Sequence, residues 1–456
     1  MHSTASQLPV PLFILIVYLA GITIFGKGPT YIGFGPFRGI GVIYWGEVVM
    51  FFLIAWMTLR IFSHGLPKRL VNPLSLLVLA FMFLGAIVAI PGFLTWGRDA
   101  IRDAAIWYYG TFFFIGLLLT AFPEDADRFW KWLGWIWQAS LIWNILDMFE
   151  LAPEALDAFV TSRGFPLLAG SGSENAMHMF LGAVLILIGS GGNKSFFLRK
   201  LVSLLVIGVV TGLLFLSHAR GVKVAVLAGC MIGGIATFGN RNGLWTTGRL
   251  LLFSLSAIWV LALIVAFSDM QKLMQVSALH RFAEANPFDP KGTAYWRAVW
   301  WENILHAVHS VNPFFGLGFG QNLGMANPWL VRDLISEWPV RSPHNFNITV
   351  LGRMGYVGLF LWLSILASGI GGLFKKVRKG RVGDQFYTIA RRKELAFWLV
   401  MLVATWLNAS FGVLMEGPVL GIWFWFALGF ATGRSLGPEG LRRPPYSHEE
   451  SGGCSL

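Results

Sequence analysis

A histidine and an arginine stand where a polar stretch gives way to an apolar one. The run Ser342-Pro343-His344-Asn345 opens a hydrophobic segment, and Arg353 and Gly355 follow within it. Arg353 lies nine positions after His344, about two and a half helical turns on. A neutral imidazole accepts a proton near pH 7. A guanidinium at that depth is costly unless it pairs with an anion or faces a wet cavity. The competing reading is an interfacial histidine with a snorkelling arginine. Similar cations recur elsewhere. Arg220 and Lys223 follow the turn Ser217-His218-Ala219 between two apolar runs, and at i,i+3 they share a helical face. Two such cations repel unless an anion joins them. Arg98 and Arg102 are four residues apart, beside Asp99 and Asp103, so pairing within the helix competes with an outside ligand. Arg297 adds a further cation, and Glu302, Asp333, Glu337 and Glu416 are alternative proton acceptors. Guanidiniums gathered around a base are suited to a polyanion, above all a diphosphate.

These residues must be positioned by membrane helices. The chain has 456 residues, of which 55% are hydrophobic and only 13% charged, with a mean hydropathy of +0.64. A soluble surface of this size needs far more charge. Apolar runs near ~20 residues, the length that crosses a bilayer, predict about twelve spans. They fall at roughly 9–25, 42–62, 72–92, 104–122, 129–149, 175–191, 199–216, 222–238, 249–268, 344–373, 394–412 and 418–434. The 21 Trp and 39 Phe suit aromatic belts at the interfaces. The expected fold is all-α and polytopic, with a transmembrane unit over 1–434. A long external loop over 269–343 interrupts it, and a disordered cytoplasmic tail occupies 435–456.

Orientation follows from basic loops. Lys375, Lys376, Arg378, Lys379, Arg381, Arg391, Arg392 and Lys393 crowd one loop, which marks it as cytoplasmic and puts both termini inside. The arginines singled out above then lie on the outer side, where basic residues are disfavoured. The net charge of +12 is accounted for by such loops, with no need for nucleic acid. Within the long loop, Tyr295, Trp296, Val299, Trp300, Ile304, Leu305 and Val308 form an apolar helical stripe. It predicts an amphipathic helix lying on the membrane and ended by Asn312-Pro313. Gly316, Gly318 and Gly320 follow, but no βα unit surrounds them, which argues against a nucleotide loop. His306 and His309 lack further ligands at zinc spacing, and Cys230 and Cys454 form no disulfide framework.

In order along the chain, these pieces resemble the O-antigen ligase and O-antigen polymerase superfamily of bacterial envelope glycosyltransferases. The resemblance rests on several short motifs: the arginine-rich motif at Arg98 and Arg102, the Ser-x-x-Arg-Gly hairpin at Ser217–Gly221, and Arg297 followed by Trp301. Asn-Pro-x-x-Gly-x-Gly then runs from Asn312 to Gly318, and His344-Asn345 is followed after nine residues by Gly355. That last spacing is similar to the ligase branch. The sequence departs from ligases at Gly358, where Thr is often found, and at Val224, where Leu is sometimes found.

The resemblance implies a GT-C-like helical fold at the bacterial inner membrane, with its active site facing the periplasm and no cofactor. The implied donor is a glycan on undecaprenyl diphosphate, and the implied acceptor is a sugar hydroxyl of lipid A-core or another glycan. Its leaving group is already anionic, so arginines can stabilise it without a metal. His344 is then the general base, and inversion at the anomeric carbon follows from attack opposite the leaving group. Arg220, Arg297, Arg353, Lys223, Arg98 and Arg102 are the expected diphosphate-binding residues, supported by Asn345, Gly355 and Glu416. The alternatives are a polymerase that joins lipid-linked repeat units and a transporter of lipid-linked sugars. Transporters usually carry charge near the midplane.

Overall fold

A computed structural model describes residues 9–37, 41–148, 173–189, 220–238, 293–326, 341–379 and 388–436. Among these, the helices in chain order are α1 (Val10–Ile24), α2 (Trp45–His64), α3 (Pro73–Trp96), α4 (Arg98–Asp103), α5 (Ala105–Tyr108), α6 (Thr111–Leu119), α7 (Pro123–Met148) and α8 (Ser173–Gly189). They continue as α9 (Arg220–Phe238), α10 (Thr293–Val311), α11 (Phe346–Lys379), α12 (Ile389–Ala409) and α13 (Pro418–Ser435). The all-α expectation is amended by one hairpin, β1 (Gly33–Phe37) with β2 (Gly41–Tyr44), paired antiparallel with an irregularity between Phe34 and Phe37.

The molecule is an integral membrane protein built of helices. Among the described residues, α2, α3 and most of α11 are long and apolar enough to cross a membrane. A fourth candidate is the bent pair of segments 98–119 and 123–146, which meet at 117°. The spans expected at 199–216 and 249–268 lie outside the described residues, as do nearly all of the tail and much of the loop 269–343. Each of the other expected spans overlaps a helix.

Helix ends follow local chemistry. Asn72 caps α3 by accepting from the Ser75 N–H at 3.0 Å, with Pro73 in the first turn. Thr388 caps α12 through the Arg391 N–H at 3.2 Å. The centre is α13, whose Trp423, Phe424, Trp425 and Phe426 are all fully buried. It runs beside α6 and α12, and Gly116 and Gly429 let the α6 and α13 backbones approach closely. The other close partnerships are α9 with α12, α7 with α8, and α11 with α3.

Among the described residues, part of the stripe on α10 faces protein, while Leu305 stays exposed. Trp300, Ile304 and Val308 are buried in a cluster with Leu323 and Leu351 of α11. Part of the apolar partner of this stripe is therefore α11 and the loop after α10.

Candidate active site

The site gathers at one end of the bundle, where α11 begins and the α12–α13 turn passes over it. Asn345 caps α11. Its side-chain oxygen accepts from the N–H groups of Asn347 at 3.0 Å and Ile348 at 3.4 Å. His344, just before the cap, has φ of +57°, the sole positive φ at a non-glycine among the described residues. Such a conformation is uncommon, though histidine is among the residues enriched there, and it persists where the surroundings over-determine it.

Those surroundings are specific. Trp301 of α10 donates its indole N–H to the Pro343 carbonyl at 2.8 Å. The Trp300 and His344 rings lie 6.3 Å apart between centroids at an interplanar angle of 62°, and the Trp300 indole N–H is held by the Leu323 carbonyl at 2.8 Å. Glu416, in the α12–α13 turn, accepts from the Ser342 hydroxyl at 2.6 Å and the Thr349 hydroxyl at 2.7 Å through the same oxygen. Burial raises the Glu416 carboxyl above the usual carboxylate range, against those two hydrogen bonds and the Arg353 charge.

Arg297 of α10 donates to the Phe411 carbonyl at 3.2 Å. Burial, and then the Arg297 charge, push the His344 imidazole down to about 4, so it is neutral at physiological pH. The start of α9 abuts the same turn. A side-chain carbon added at Gly221 would sit 2.9 Å from the Phe411 β-carbon and 3.1 Å from the Asn408 amide oxygen. The backbone that carries Arg220, and Lys223 one turn on, thus adjoins the turn that Arg297 touches. Ser217, His218 and Ala219 lie outside the described residues.

Arg353 is placed differently. Its side chain is only 3% exposed and lies 2.7 Å from Asp103 of α4. It also donates to the Gly318 carbonyl at 3.1 Å and to the Gln321 carbonyl. Arg341 joins the same carboxylate at 3.1 Å and Asp99 at 3.1 Å, and donates to the Gly320 carbonyl at 2.6 Å. The expected intrahelical partners of Arg98 and Arg102 are therefore engaged by arginines far along the chain. Arg98 and Arg102 are themselves exposed, with no ion pair among the described residues. Sequence reasoning missed Asp103 as a hub and took Arg353 as open to a ligand. The available signal is an aspartate among many arginines, in a segment expected at the outer surface.

Gly355 breaks α11, with φ of 64° and ψ of −165°. The loop after α10 fills the break. The Tyr356 N–H donates to the Pro313 carbonyl at 2.9 Å, Val357 to Phe314 at 3.2 Å, and Leu317 to the Gly352 carbonyl at 2.7 Å. The freed backbone groups of a membrane helix are thereby satisfied by protein. A β-carbon at Gly355 would run into the Phe314 carbonyl, and one at Gly316 would come within 2.6 Å of the Gly355 nitrogen. The Asn-Pro-x-x-Gly-x-Gly segment and the glycine beyond His-Asn are thus two halves of one joint.

Comparison with curated proteins gives no match. Residues 204–363 match the family model described as O-antigen ligase, a segment that holds Arg220, Lys223, Arg297, His344, Asn345, Arg353 and Gly355 and excludes Arg98, Arg102 and Glu416. That match covers about a third of the chain and supports its resemblance to the O-antigen ligase and polymerase superfamily, a family of membrane glycosyltransferase-like enzymes.

Proposed function

We propose that the protein is a ligase-type glycosyltransferase of the bacterial inner membrane. It transfers a glycan from undecaprenyl diphosphate to a sugar hydroxyl, such as one on lipid A-core, at the periplasmic face. The observation that supports this reading is a neutral histidine, His344, under the charge of Arg297, which itself reaches the turn that the start of α9 adjoins. The acceptor O–H passes its proton to the His344 imidazole as its oxygen forms a bond to the anomeric carbon. The bond from that carbon to the phosphate oxygen breaks, and undecaprenyl diphosphate leaves with the electron pair. Arg220, Lys223 and Arg297 take up the charge that develops on the leaving group. The exposed Arg98 and Arg102 serve the outer part of the same anion. Arg353 acts from behind, holding α11 in register through Asp103. A bound diphosphate offsets the Arg297 charge at His344 and so favours proton uptake when the donor is in place.

The test is purified protein with lipid-linked glycan and lipid A-core, without nucleotide or ion gradient. A new glycosidic product on the acceptor is expected. Products joined lipid to lipid, with the lipid A-core unmodified, would replace the ligase with a polymerase. Movement of the donor across liposomes with no product would make the protein a transporter.

A further inference from the structure

We propose that Glu416 is the positioning residue that fixes His344, acting as a hydrogen-bond acceptor and not as a base. The inference rests on the reading of His344 as the proton acceptor. Its substance is one oxygen that grips both flanks of one residue. Oε1 of Glu416 takes the Ser342 hydroxyl at 2.6 Å, two residues before His344, and the Thr349 hydroxyl at 2.7 Å, five residues after it. Ser342 in turn accepts the His344 backbone N–H at 3.4 Å. Thr349 lies in the first turn of α11 and also contacts the Asn345 carbonyl at 3.1 Å, so the grip spans the cap that directly follows His344. A left-handed histidine needs such constraint from two sides. Glu416 can supply it because its own position is fixed by the short turn between α12 and α13, with Met415 fully buried before it and Pro418 opening α13 behind it. The same oxygen is committed to two internal hydroxyls, which suits an anchor better than a group that must meet a substrate proton.

Substitutions separate the roles. Glu416→Gln keeps the carbonyl acceptor and removes the acid. Glu416→Ala removes both. Two measurements are made on each: kcat and KM with saturating lipid-linked donor and lipid A-core, and the rate and pH midpoint of His344 carbethoxylation by diethyl pyrocarbonate, read by peptide mass spectrometry. Misplacing a reacting group by about 1 Å costs about 10²-fold, so Glu416→Ala is expected to lower kcat on that scale with KM little changed. It should also alter the His344 modification profile. A neutral acceptor is roughly half as strong as a charged one, so Glu416→Gln is expected to cost roughly tenfold or less and to keep the wild-type profile. Equal loss of kcat in Gln and Ala would overturn the proposal, as would an Ala variant whose His344 profile stays wild-type. Should Glu416→Ala not fold, Ser342→Ala with Thr349→Val removes both arms and is read by the same criteria. The modification arm does not depend on turnover. A wild-type protein that transfers nothing would refute the ligase reading, while the clamp would still stand or fall on His344 reactivity.

Discussion

Arg341 and Arg353, on either side of His344 in sequence, share one carboxylate: both reach Asp103 Oδ2, at 3.1 Å and 2.7 Å. The segment carrying the histidine is therefore fastened to α4 at both ends. The same oxygen also accepts the Gly320 N–H at 3.1 Å, which ties the glycine loop into the hub.

Asp103→Ala is expected to be strongly destabilising. It leaves two guanidiniums facing each other, one of them with a side chain 3% exposed, and breaking a buried pair by removing one partner costs about 3–5 kcal/mol. Thermal unfolding in detergent, followed by intrinsic fluorescence, checks this. A variant that melts with wild type would show that the carbonyls of Gly318, Gly320 and Gln321 suffice to hold both arginines.

Gly355→Ala should damage the joint between α11 and the glycine loop. The backbone there has φ of 64°, a region costing roughly 1–3 kcal/mol for a residue with a side chain, and the added carbon meets the Phe314 carbonyl. The expected outcome is a lowered melting temperature together with faster proteolysis between residues 312 and 322. A change in melting temperature without new cleavage would place the strain elsewhere.

Part of this arrangement is legible in the sequence and part is not. The α10 stripe, its end at Asn312-Pro313 and the apolar helices follow from local periodicity and turn chemistry. Asn345 as a cap is equally local. The partner of the α10 stripe is not local, because a period of 3.6 residues says which face is apolar and not whether lipid or protein covers it. The Asp103 hub is hidden for the same reason. A close acidic neighbour, at i,i+1 or i,i+3 from Arg98 and Arg102, is visible in the sequence. A guanidinium more than two hundred residues away that wins the contact is set by packing. The left-handed φ at His344 leaves no sequence mark, whereas at Gly355 the glycine itself is the mark.

The pH dependence of transfer should carry the signature of a depressed histidine. His344 is pushed down to about 4, first by burial and then by Arg297. The neutral, proton-accepting form therefore dominates from about pH 5 upward. On the proposed mechanism kcat/KM is level across neutral pH and falls on the acid side, halving near 4, and His344→Ala loses roughly 10²–10⁴-fold throughout. Stability has the same direction. The folded imidazole binds its proton less readily than the unfolded one, whose pKa is about 6.5. Protonation therefore favours unfolding, and this group's contribution is lost as pH falls from that value through about 4. An acid limb centred near 6.5 would mean that His344 is solvated in the working enzyme.

Arg297 connects the two halves of the proposed chemistry, and its removal should separate them. Its charge is the second cause of the low His344 value, after burial, and it is itself partly buried, which pulls its own value down. Arg297→Gln deletes the positive charge, so the acid limb of kcat/KM should move to higher pH while staying below the unperturbed histidine range, because burial remains. The same change should weaken donor binding and leaving-group stabilisation, lowering kcat/KM at neutral pH. Arg297→Lys restores the charge but not the planar fork that reaches the Phe411 carbonyl and, on the proposed mechanism, a phosphate as well. It is therefore expected to return the acid limb toward the wild-type position while recovering little of the rate. Measuring kcat/KM from pH 4 to 8 for wild type and both variants decides the matter. If the limb stays fixed in Arg297→Gln while the rate collapses, Arg297 acts on the donor alone and the electrostatic link to His344 is lost. If neither changes, Arg297 lies outside the site.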